Sequence, residues 1–297
     1  DETLGRWGPR PRPVRPRPKR RILQPERKDA PLSGFATISC AQLARLIGTP
    51  EAPTVVDVRT EEDVAADPRL IPTSLRHSHG LIADLAPALA GHAVVIACQR
   101  GRKLSEGAAA LLRALGVAAE SLDGGTVAWA EAGLPMVPAA ALPATHRWVT
   151  RQRPKIDRIA CPWLIRRFID PTAEFLYVAP PEVPAVAERF AATPFDVAGV
   201  PISHRAERCS FDALLDDFGL HTEALDRLAL VVRAADTDRH DLSPQAAGLL
   251  AVSVGLSRQY RDDLAQLEAG MAVYDALYRW ARDGYDEGHD WPAGRRA

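Results

Sequence analysis

The chain has 297 residues, of which 46% are hydrophobic and 25% are charged, and its formal net charge is −1. This length allows two domains of ordinary size with separate cores, and the balanced charge gives no global reason to expect a nucleic acid as partner. No apolar run approaches a membrane span, and four scattered cysteines without a C-x-x-C pair exclude a disulfide framework, so we expect a cytoplasmic protein without membrane contact.

The first 33 residues have a skewed composition in which Pro alternates with Arg, as in PRPRPVRPRPKRR. This segment has no periodic apolar face and cannot bury enough surface to offset its ordering entropy. We expect a disordered, extended tail over residues 1–33, and the alternative is an arm that binds nucleic acid or another acidic partner. The solvated tail is the favoured interpretation, so DNA is not an expected partner. Because the sequence starts at Asp1 rather than Met, we expect a processed or incomplete N-terminus.

Residues 34–140 alternate helix and strand signals. ISCAQLARLIG predicts a helix behind a polar cap, PTVVDVR a buried strand, and LIADLAPALA a helix. AVVIAC predicts the next strand, and LSEGAAALLRALG a helix that ends at the C-cap Gly116. VAAESL then predicts a strand before a glycine turn, and TVAWAEAG a short helix. Strands separated by helices are typical of an α/β domain, a parallel sheet with helices on both faces.

Pro138, Pro143 and the alanines between them predict a linker, after which residues 146–292 form a mainly helical α+β domain. RWVTRQRP and EFLYV predict strands, and LALVVRAA a strand or a buried helix end. In IDRIACPWLIRRFID, Pro162 fits a first helical position, which makes Cys161 the predicted N-cap.

Two further helices are predicted near the C-terminus. Ser243 and Pro244 repeat the cap signature before QAAGLLAVSVGLS. A last helix over about residues 258–283 carries a predicted core stripe that runs from Leu264 to Tyr278.

Residues 94–105, VVIACQRGRKLS, carry the strongest functional signal in the chain. An apolar, β-branched run ends in Cys98, and an apolar-periodic helix follows the loop. The loop contains a glycine and three cations: Arg100, Gly101, Arg102 and Lys103. Main-chain N–H groups, cationic side chains and a helix N-terminus all favour a thiolate over a thiol. We therefore expect Cys98 to be an ionised, solvent-accessible nucleophile rather than an inert buried cysteine.

Three motifs, taken in order, resemble the rhodanese family. They are VVDVR at 55–59, CQRGRK at 98–103 and DGGTVAWAEAGLP at 123–135. The resemblance implies a rhodanese-like fold and a sulfurtransferase. Two departures stand out: RLIPTSLR occupies the usual G-H-I-P-G-A stretch, and Leu104 occupies the usual serine position, with Ser105 one residue later.

The resemblance implies persulfide chemistry without a cofactor. Cys98 would take sulfur from thiosulfate or another sulfane-sulfur donor and pass it to a thiol or another acceptor. The amides from Gln99 to Lys103 would form an anion cradle, in which Gly101 allows the tight curl. The three cations would attract the anionic donor and stabilise the leaving sulfite.

Asp57 and Arg59 lie at the end of the neighbouring strand and would support this loop. Their alternative role, an ordinary structural ion pair, is favoured over direct catalysis, and Trp129 is a predicted core residue. A cysteine phosphatase needs an arginine at the position of Leu104, so this activity is disfavoured. A non-catalytic rhodanese-like binding module is the stronger alternative to the enzyme.

Three segments of the second region resemble the C-terminal domain of the chromate-resistance protein B family. They are WVTRQRPKIDRIACPWLIRRFIDP, SHRAERCSFDALLDDFGL and VVRAADTDRHDLSPQAAGLLAVSVGLS. The resemblance implies that this domain handles or senses an oxyanion or a metal in a chromate or sulfur-stress response. Family regulators carry a different, DNA-associated N-terminal part, and the rhodanese-like region stands in its place here.

The second region offers two candidate sites. Arg158 beside Cys161 is a candidate site for a chromate-like oxyanion at a helix start, and the alternative is a solvated basic face. A metal site with loose ligand spacing is the other candidate, and Asp238 could instead be a turn residue. Its proposed ligands are His204, Cys209, Asp236, Asp238 and His240.

Overall fold

The computed structural model describes residues 36–288. In the first region, strands of a parallel sheet alternate with helices. The predicted tail at residues 1–33 lies outside the described residues. The elements of the first region are β1 (Thr37–Ile38), α1 (Cys40–Leu46), β2 (Thr54–Asp57), α2 (Glu61–Ala66), β3 (Arg69–Leu70), β4 (Leu75–Arg76), α3 (Ala86–Leu89), β5 (Ala93–Ala97), α4 (Lys103–Ala114), β6 (Ala118–Leu122), α5 (Gly125–Glu131) and β7 (Val137–Pro138).

The first region contains a five-stranded parallel sheet with the strand order β1-β6-β5-β2-β4. Successive residues of β2 face opposite sides, so Val55 and Val56 belong to different hydrophobic clusters. Leu112 of α4 packs in the cluster on one side, and Leu43 of α1 and Trp129 of α5 pack in the other. The predicted α/β fold, with helices on both faces of a parallel sheet, is confirmed.

The helix ends follow from local chemistry. Ser39 caps α1 by accepting a hydrogen bond from the Gln42 N–H, and the Gln42 side chain accepts one from the Ser39 N–H in return. After α4, Gly116 adopts a left-handed conformation with φ +86°, as expected of a residue that ends a helix.

The second region is mainly helical, as predicted, and adds a three-stranded parallel sheet with the order β10-β8-β9. Its elements are β8 (Arg147–Arg151), α6 (Asp157–Leu164), β9 (Glu174–Val178), α7 (Val183–Phe190), β10 (Thr193–Pro194), α8 (Ser210–Phe218), α9 (Glu223–Asp236), α10 (Ala246–Gln259) and α11 (Asp263–Asp283). Among residues 36–288, no helix is both long and apolar enough to cross a bilayer.

Helix α6 begins earlier than predicted. It starts at Asp157, so Cys161 is not its N-cap and Pro162 lies inside the helix. An internal proline removes the N–H that would bond the carbonyl four residues earlier, at Arg158. The Tyr177 hydroxyl donates to this carbonyl oxygen at 2.8 Å. A partner from β9 therefore compensates for the missing helical bond, which a local sequence pattern cannot show.

Other boundaries also differ from the predictions. The ambiguous segment 228–235 is helical, as part of α9. The predicted helix over 258–283 is interrupted, because α10 ends at Gln259 and Asp262 caps α11. Leu264, predicted in the core stripe, is 48% exposed in the first turn of α11.

The predicted linker is partly structured and ties the regions together. Within it, β7 pairs antiparallel with β3, and Ala139 donates its N–H to the Pro68 carbonyl.

The largest hydrophobic cluster contains Trp129 from the first region and Trp163 from the second. The two regions therefore share one hydrophobic cluster, although the length of the chain allows separate cores. The boundaries at 34–140 and 146–292 stay predictions.

Gly48 lies at a close contact between the two regions, and it gives a test of the shared core. Its φ is +84°, and a Cβ there would lie 2.3 Å from Phe168 Cζ and 2.9 Å from Tyr278 Cε1. We expect Gly48→Ala to destabilise the protein by about 1–2 kcal/mol through left-handed strain and about 1–3 kcal/mol more through displaced rings. Urea unfolding of the full chain measures the loss.

Gly91→Ala is the matched control, because Gly91 has φ +82° but no atom within 4 Å of its built Cβ. It should show the conformational strain alone. Equal losses in the two variants would contradict close packing between the regions at Gly48.

Candidate functional site

The Cys98 loop joins a strand to a helix, as the sequence predicts. Cys98 follows the last residue of β5, and α4 begins at Lys103. The central position of β5 in the sheet buries the strand on both faces. The loop therefore lies at the carboxyl end of a central parallel strand, the position at which α/β sheets commonly bind ligands.

The loop packs tightly against the start of α5. The Cys98 carbonyl accepts the Thr126 N–H at 3.0 Å, and the Gln99 carbonyl accepts the Val127 N–H at 3.1 Å. Glycines permit this approach: a Cβ on Gly101 would lie 2.3 Å from the Leu122 carbonyl oxygen, and one on Gly125 would lie 2.2 Å from the Cys98 carbonyl oxygen.

This packing fixes the direction of the loop amides. The C=O and N–H of a trans peptide point in opposite directions, and no peptide bond here is cis. With the Cys98 and Gln99 carbonyls turned toward α5, the N–H groups of Gln99 and Arg100 point away from it. Within the described part of the chain, the N–H groups of residues 99–104 have no acceptor. Such consecutive free amides are suited to binding an anion.

The sulfur of Cys98 is more enclosed than predicted, since the residue is only 5% exposed. Its Sγ lies 3.1 Å from the Ser105 Oγ and 3.8 Å from the Arg102 carbonyl oxygen. Ser105, which is fully buried, also donates to this carbonyl at 3.0 Å. The prediction of a solvent-accessible side chain is therefore wrong, because Arg102 and the first turn of α4 cover the sulfur.

Ser105 is a site residue that the sequence reasoning missed. The sequence contains a signal for it, because the serine expected at the position of Leu104 occurs one residue later. Helical side chains lean back toward the N-terminus, so a residue in the first turn of α4 can reach the preceding loop. The shift by one position therefore preserves a hydroxyl beside the sulfur.

Three cations surround the loop, and all three are exposed: Arg100, Arg102 and Lys103. The ion pairs found in the described first region use other residues: Arg59 with Asp57, Arg69 with Asp67, and Arg76 with Glu61. The loop cations therefore remain available to an anionic ligand.

Asp57 and Arg59 form a buried ion pair that braces a different segment from the one predicted. Arg59 Nε is 2.9 Å from Asp57 Oδ2, and its Nη atoms donate to the carbonyls of Asp67 and Arg69. Their side chains make no hydrogen bond to the Cys98 loop within residues 36–288. Loop support is limited to the backbone, where Val58 donates its N–H to the Ala97 carbonyl at 2.8 Å.

The second region contains a polar cluster around Asp157, which begins α6 and is 1% exposed. Asp157 Oδ2 accepts the Ser210 N–H at 2.6 Å. His204 Nε2 lies 3.0 Å from Asp236 Oδ2 and 3.6 Å from both Asp157 Oδ2 and Asp196 Oδ1. Three carboxylates and an imidazole from distant parts of the sequence therefore meet at one place.

Crowding of carboxylates in a buried place changes their proton affinity. Burial, with repulsion from Asp236 and Asp196, raises the pKa of Asp157 well above its ordinary value. Burial and the charge of Asp196 also raise the pKa of Asp236. The local environment therefore favours an added cation or proton.

The candidate oxyanion site at Arg158 and Cys161 is not supported by this geometry. Arg158 Nε is 3.4 Å from Asp196 Oδ2, and Arg158 Nη1 donates to the Gln152 carbonyl. Cys161 is fully buried inside α6, and this burial raises the pKa of its thiol. The guanidinium already has an anionic partner, and the thiol is closed to an incoming oxyanion.

The five candidate metal ligands separate into two groups. The structure brings His204 and Asp236 together, and Cys209 lies beside Asp157 as a fully buried thiol whose pKa is raised by burial. Asp238 and His240 instead lie beyond α9 and contact each other at 3.4 Å. Asp157 and Asp196 were missed, since nothing in their sequence spacing connects them with His204.

Two family models match the chain. The model of the rhodanese-like domain matches residues 39–132, and that of the ChrB C-terminal domain matches residues 148–281. Protein ChrB of Cupriavidus metallidurans is 38% identical over 134 residues, which are 45% of this chain and 40% of that protein. The chain thus matches less than half the length of this relative. Both resemblances predicted from the sequence motifs are confirmed.

Solved structures also resemble this chain. A rhodanese-related protein from Thermoplasma volcanium is 25% identical, covers 35% of this chain and 98% of its own, and has a TM-score of 0.31. A thiosulfate sulfurtransferase from Pseudomonas aeruginosa is 31% identical, covers 34% of this chain and 19% of its own, and has a TM-score of 0.29.

The contact between Ser105 and Cys98 predicts an effect on sulfur reactivity. The Ser105 hydroxyl has one proton, and turning it from the Arg102 carbonyl to the sulfur would stabilise a thiolate. We therefore expect Ser105→Ala to slow alkylation of Cys98 by iodoacetamide about tenfold. Mass spectrometry of the Cys98 peptide measures the rate. Ser121→Ala, which removes another buried hydroxyl in the same region, is the control and should leave the rate unchanged. Equal slowing in both variants would show a general loss of packing instead.

Proposed function

We propose that this chain, which joins a rhodanese-like domain to a ChrB C-terminal domain, is a sulfurtransferase. In this proposal Cys98 carries the transferred sulfur as a persulfide. One observation carries this proposal: Cys98 begins a loop whose amides at residues 99–104 have no acceptor in the described chain. A persulfide or a thiosulfate group placed there would accept those hydrogen bonds. The exposed loop cations add a favourable field for an anionic donor.

The proposed reaction has two displacements at sulfur. The Cys98 thiolate attacks the outer sulfur of thiosulfate, so a new S–S bond forms while the S–S bond of the donor breaks. Sulfite leaves with the bonding electron pair, and Cys98 holds a persulfide anion. A thiolate or cyanide acceptor then attacks the terminal sulfur, and Cys98 leaves as a thiolate. No external oxidant or reductant is needed, and no cofactor takes part.

Because the sulfur is enclosed, the loop amides and the three exposed loop cations, here called the rim, would contact different parts of the donor. The sulfur has little exposed surface, so only the small outer sulfur of the donor would enter beside Ser105. The sulfite part would stay at the rim, where Arg100, Arg102 and Lys103 offset its negative charge. The Ser105 hydroxyl would hold the sulfur anion in position between the two displacements.

The direct test is sulfur transfer from thiosulfate to cyanide by the full chain and by Cys98→Ser. We expect turnover and one added sulfur atom on Cys98 in the wild type, and neither in the variant, because serine cannot form a persulfide. Cys40→Ser, which changes the half-buried cysteine, should retain both. Equal turnover in wild type and Cys98→Ser would refute the enzyme.

Reversing the rim charge should weaken use of the donor. We expect Arg102→Glu to lower kcat/KM for thiosulfate about tenfold at low salt, because attraction at close range becomes repulsion. The difference should shrink as ionic strength rises. Arg261→Glu changes an exposed arginine of the second region and should have no such effect. A salt-independent loss in Arg102→Glu would argue against an electrostatic role.

A second candidate function is a binding or sensing module. The enclosure of Cys98, with the Arg102 carbonyl 3.8 Å from its sulfur, favours this alternative. Formation of a Cys98 persulfide without turnover to any acceptor would support the sensor over the enzyme.

For the second region we propose a part in a chromate or sulfur-stress response within the cytoplasm. Its support is the match to the ChrB C-terminal domain together with the polar cluster at Asp157. This cluster is rich in carboxylates and is better suited to a cation than to chromate itself.

A further inference from the structure

We propose that Asp157, His204 and Asp236 bind a divalent transition-metal ion. The candidate ligand atoms of these three side chains all lie within 4.8 Å of one another. His204 Nε2 is 3.0 Å from Asp236 Oδ2 and 3.6 Å from Asp157 Oδ2. Ligands about 2.0–2.2 Å from a common ion are separated by roughly 3–3.5 Å. The first spacing lies in this range, and the second is slightly longer.

The three residues come from separate elements that the core holds in place. Asp157 begins α6, Asp236 ends α9, and His204 lies in the loop between β10 and α8. The Asp157 N–H is 3.4 Å from Asp236 Oδ1, so the two helix ends meet directly. The second Asp236 oxygen, Oδ2, faces His204. The fold therefore brings the ligands together before any ion binds.

An unsatisfied oxygen distinguishes this site from an ordinary group of acidic residues. Asp157 is 1% exposed, and its Oδ2 accepts the Ser210 N–H. Its Oδ1 is buried and has no hydrogen-bond partner within residues 36–288. A buried carboxylate oxygen without a partner is destabilising, and so is the neighbouring charge of Asp236. A bound cation would relieve both.

Asp196 belongs to the surroundings of the site and not to its ligands. Its Oδ2 lies 3.0 Å from Arg151 Nη2, and its Oδ1 accepts the Ser210 hydroxyl at 2.8 Å. The Arg151 guanidinium offsets the charge of this third carboxylate. Two carboxylates, those of Asp157 and Asp236, then remain to match the charge of a divalent ion.

The donor set indicates the class of ion. Imidazole suits zinc, iron and other transition metals, whereas calcium and magnesium prefer oxygen ligands. One imidazole and two carboxylates therefore favour Zn²⁺, Fe²⁺ or Mn²⁺. The His204 side chain is 44% exposed, so the site opens toward solvent on this side. An open position would let water or another small ligand complete the coordination.

The test measures metal binding by the full chain after treatment with a chelator. Titration calorimetry with Zn²⁺ and Mn²⁺ should give one bound ion per chain, with Mg²⁺ binding more weakly. We expect His204→Gln and Asp157→Asn to weaken metal binding at least tenfold. Replacing a residue that only supports a ligand typically lowers metal affinity by about 10–100-fold, so loss of a ligand should cost no less. His204 is half-exposed, so its replacement should leave the fold intact, which circular dichroism would verify.

His221→Gln is the matched control, because His221 is also exposed and lies between two carboxylates, 2.7 Å from Asp226 and 2.9 Å from Asp216. It should bind the ion as the wild type does. Absence of stoichiometric binding, or unchanged binding by His204→Gln, would overturn the proposal. Persulfide formation at Cys98 should be unaffected in His204→Gln, so the metal site can fail without affecting the sulfurtransferase proposal.

Discussion

The close packing of the Cys98 loop on the first turn of α5 is the constraint on which the candidate active site depends. Two backbone hydrogen bonds, from Thr126 and Val127, turn the loop carbonyls toward α5 and leave the opposite N–H groups free. Gly101 and Gly125 make this approach sterically possible. The anion-binding character of the loop thus arises from backbone geometry, and the cationic side chains reinforce it.

The two polar centres of the molecule have opposite electrostatic character. The first combines free amides with exposed cations and is suited to anionic sulfur compounds. The second gathers Asp157, Asp196 and Asp236 around an imidazole and is suited to a cation.

A shared core joins the two regions. Trp129 and Trp163 belong to one cluster, and Gly48 brings the first region against Phe168 and Tyr278. Arg282 also donates to the Arg45 carbonyl at 2.9 Å. Protein interiors are close-packed, so the two regions are held in direct contact through this core.

Local sequence patterns determined many of the helices and strands of this protein and the position of the Cys98 loop. Hydrophobic periodicity and capping residues predicted α1, β2, β5 and α4 and the order of the first region, because these elements depend on neighbouring residues. The motif around Cys98 predicted the strand, the loop and the rim cations for the same reason. The motifs of both regions were also specific enough to predict the families that match them.

Only the tertiary structure decided which distant residues meet. Helix α6 starts before the residue predicted as its cap, and Tyr177 satisfies the carbonyl that Pro162 leaves without a partner. Ser105 reaches the sulfur because the first turn of α4 folds over the loop. Asp157 joins His204 and Asp236 only through helix packing, and Asp238 and His240 are left out. Spacing along a chain reports local geometry, whereas these contacts depend on how the elements pack.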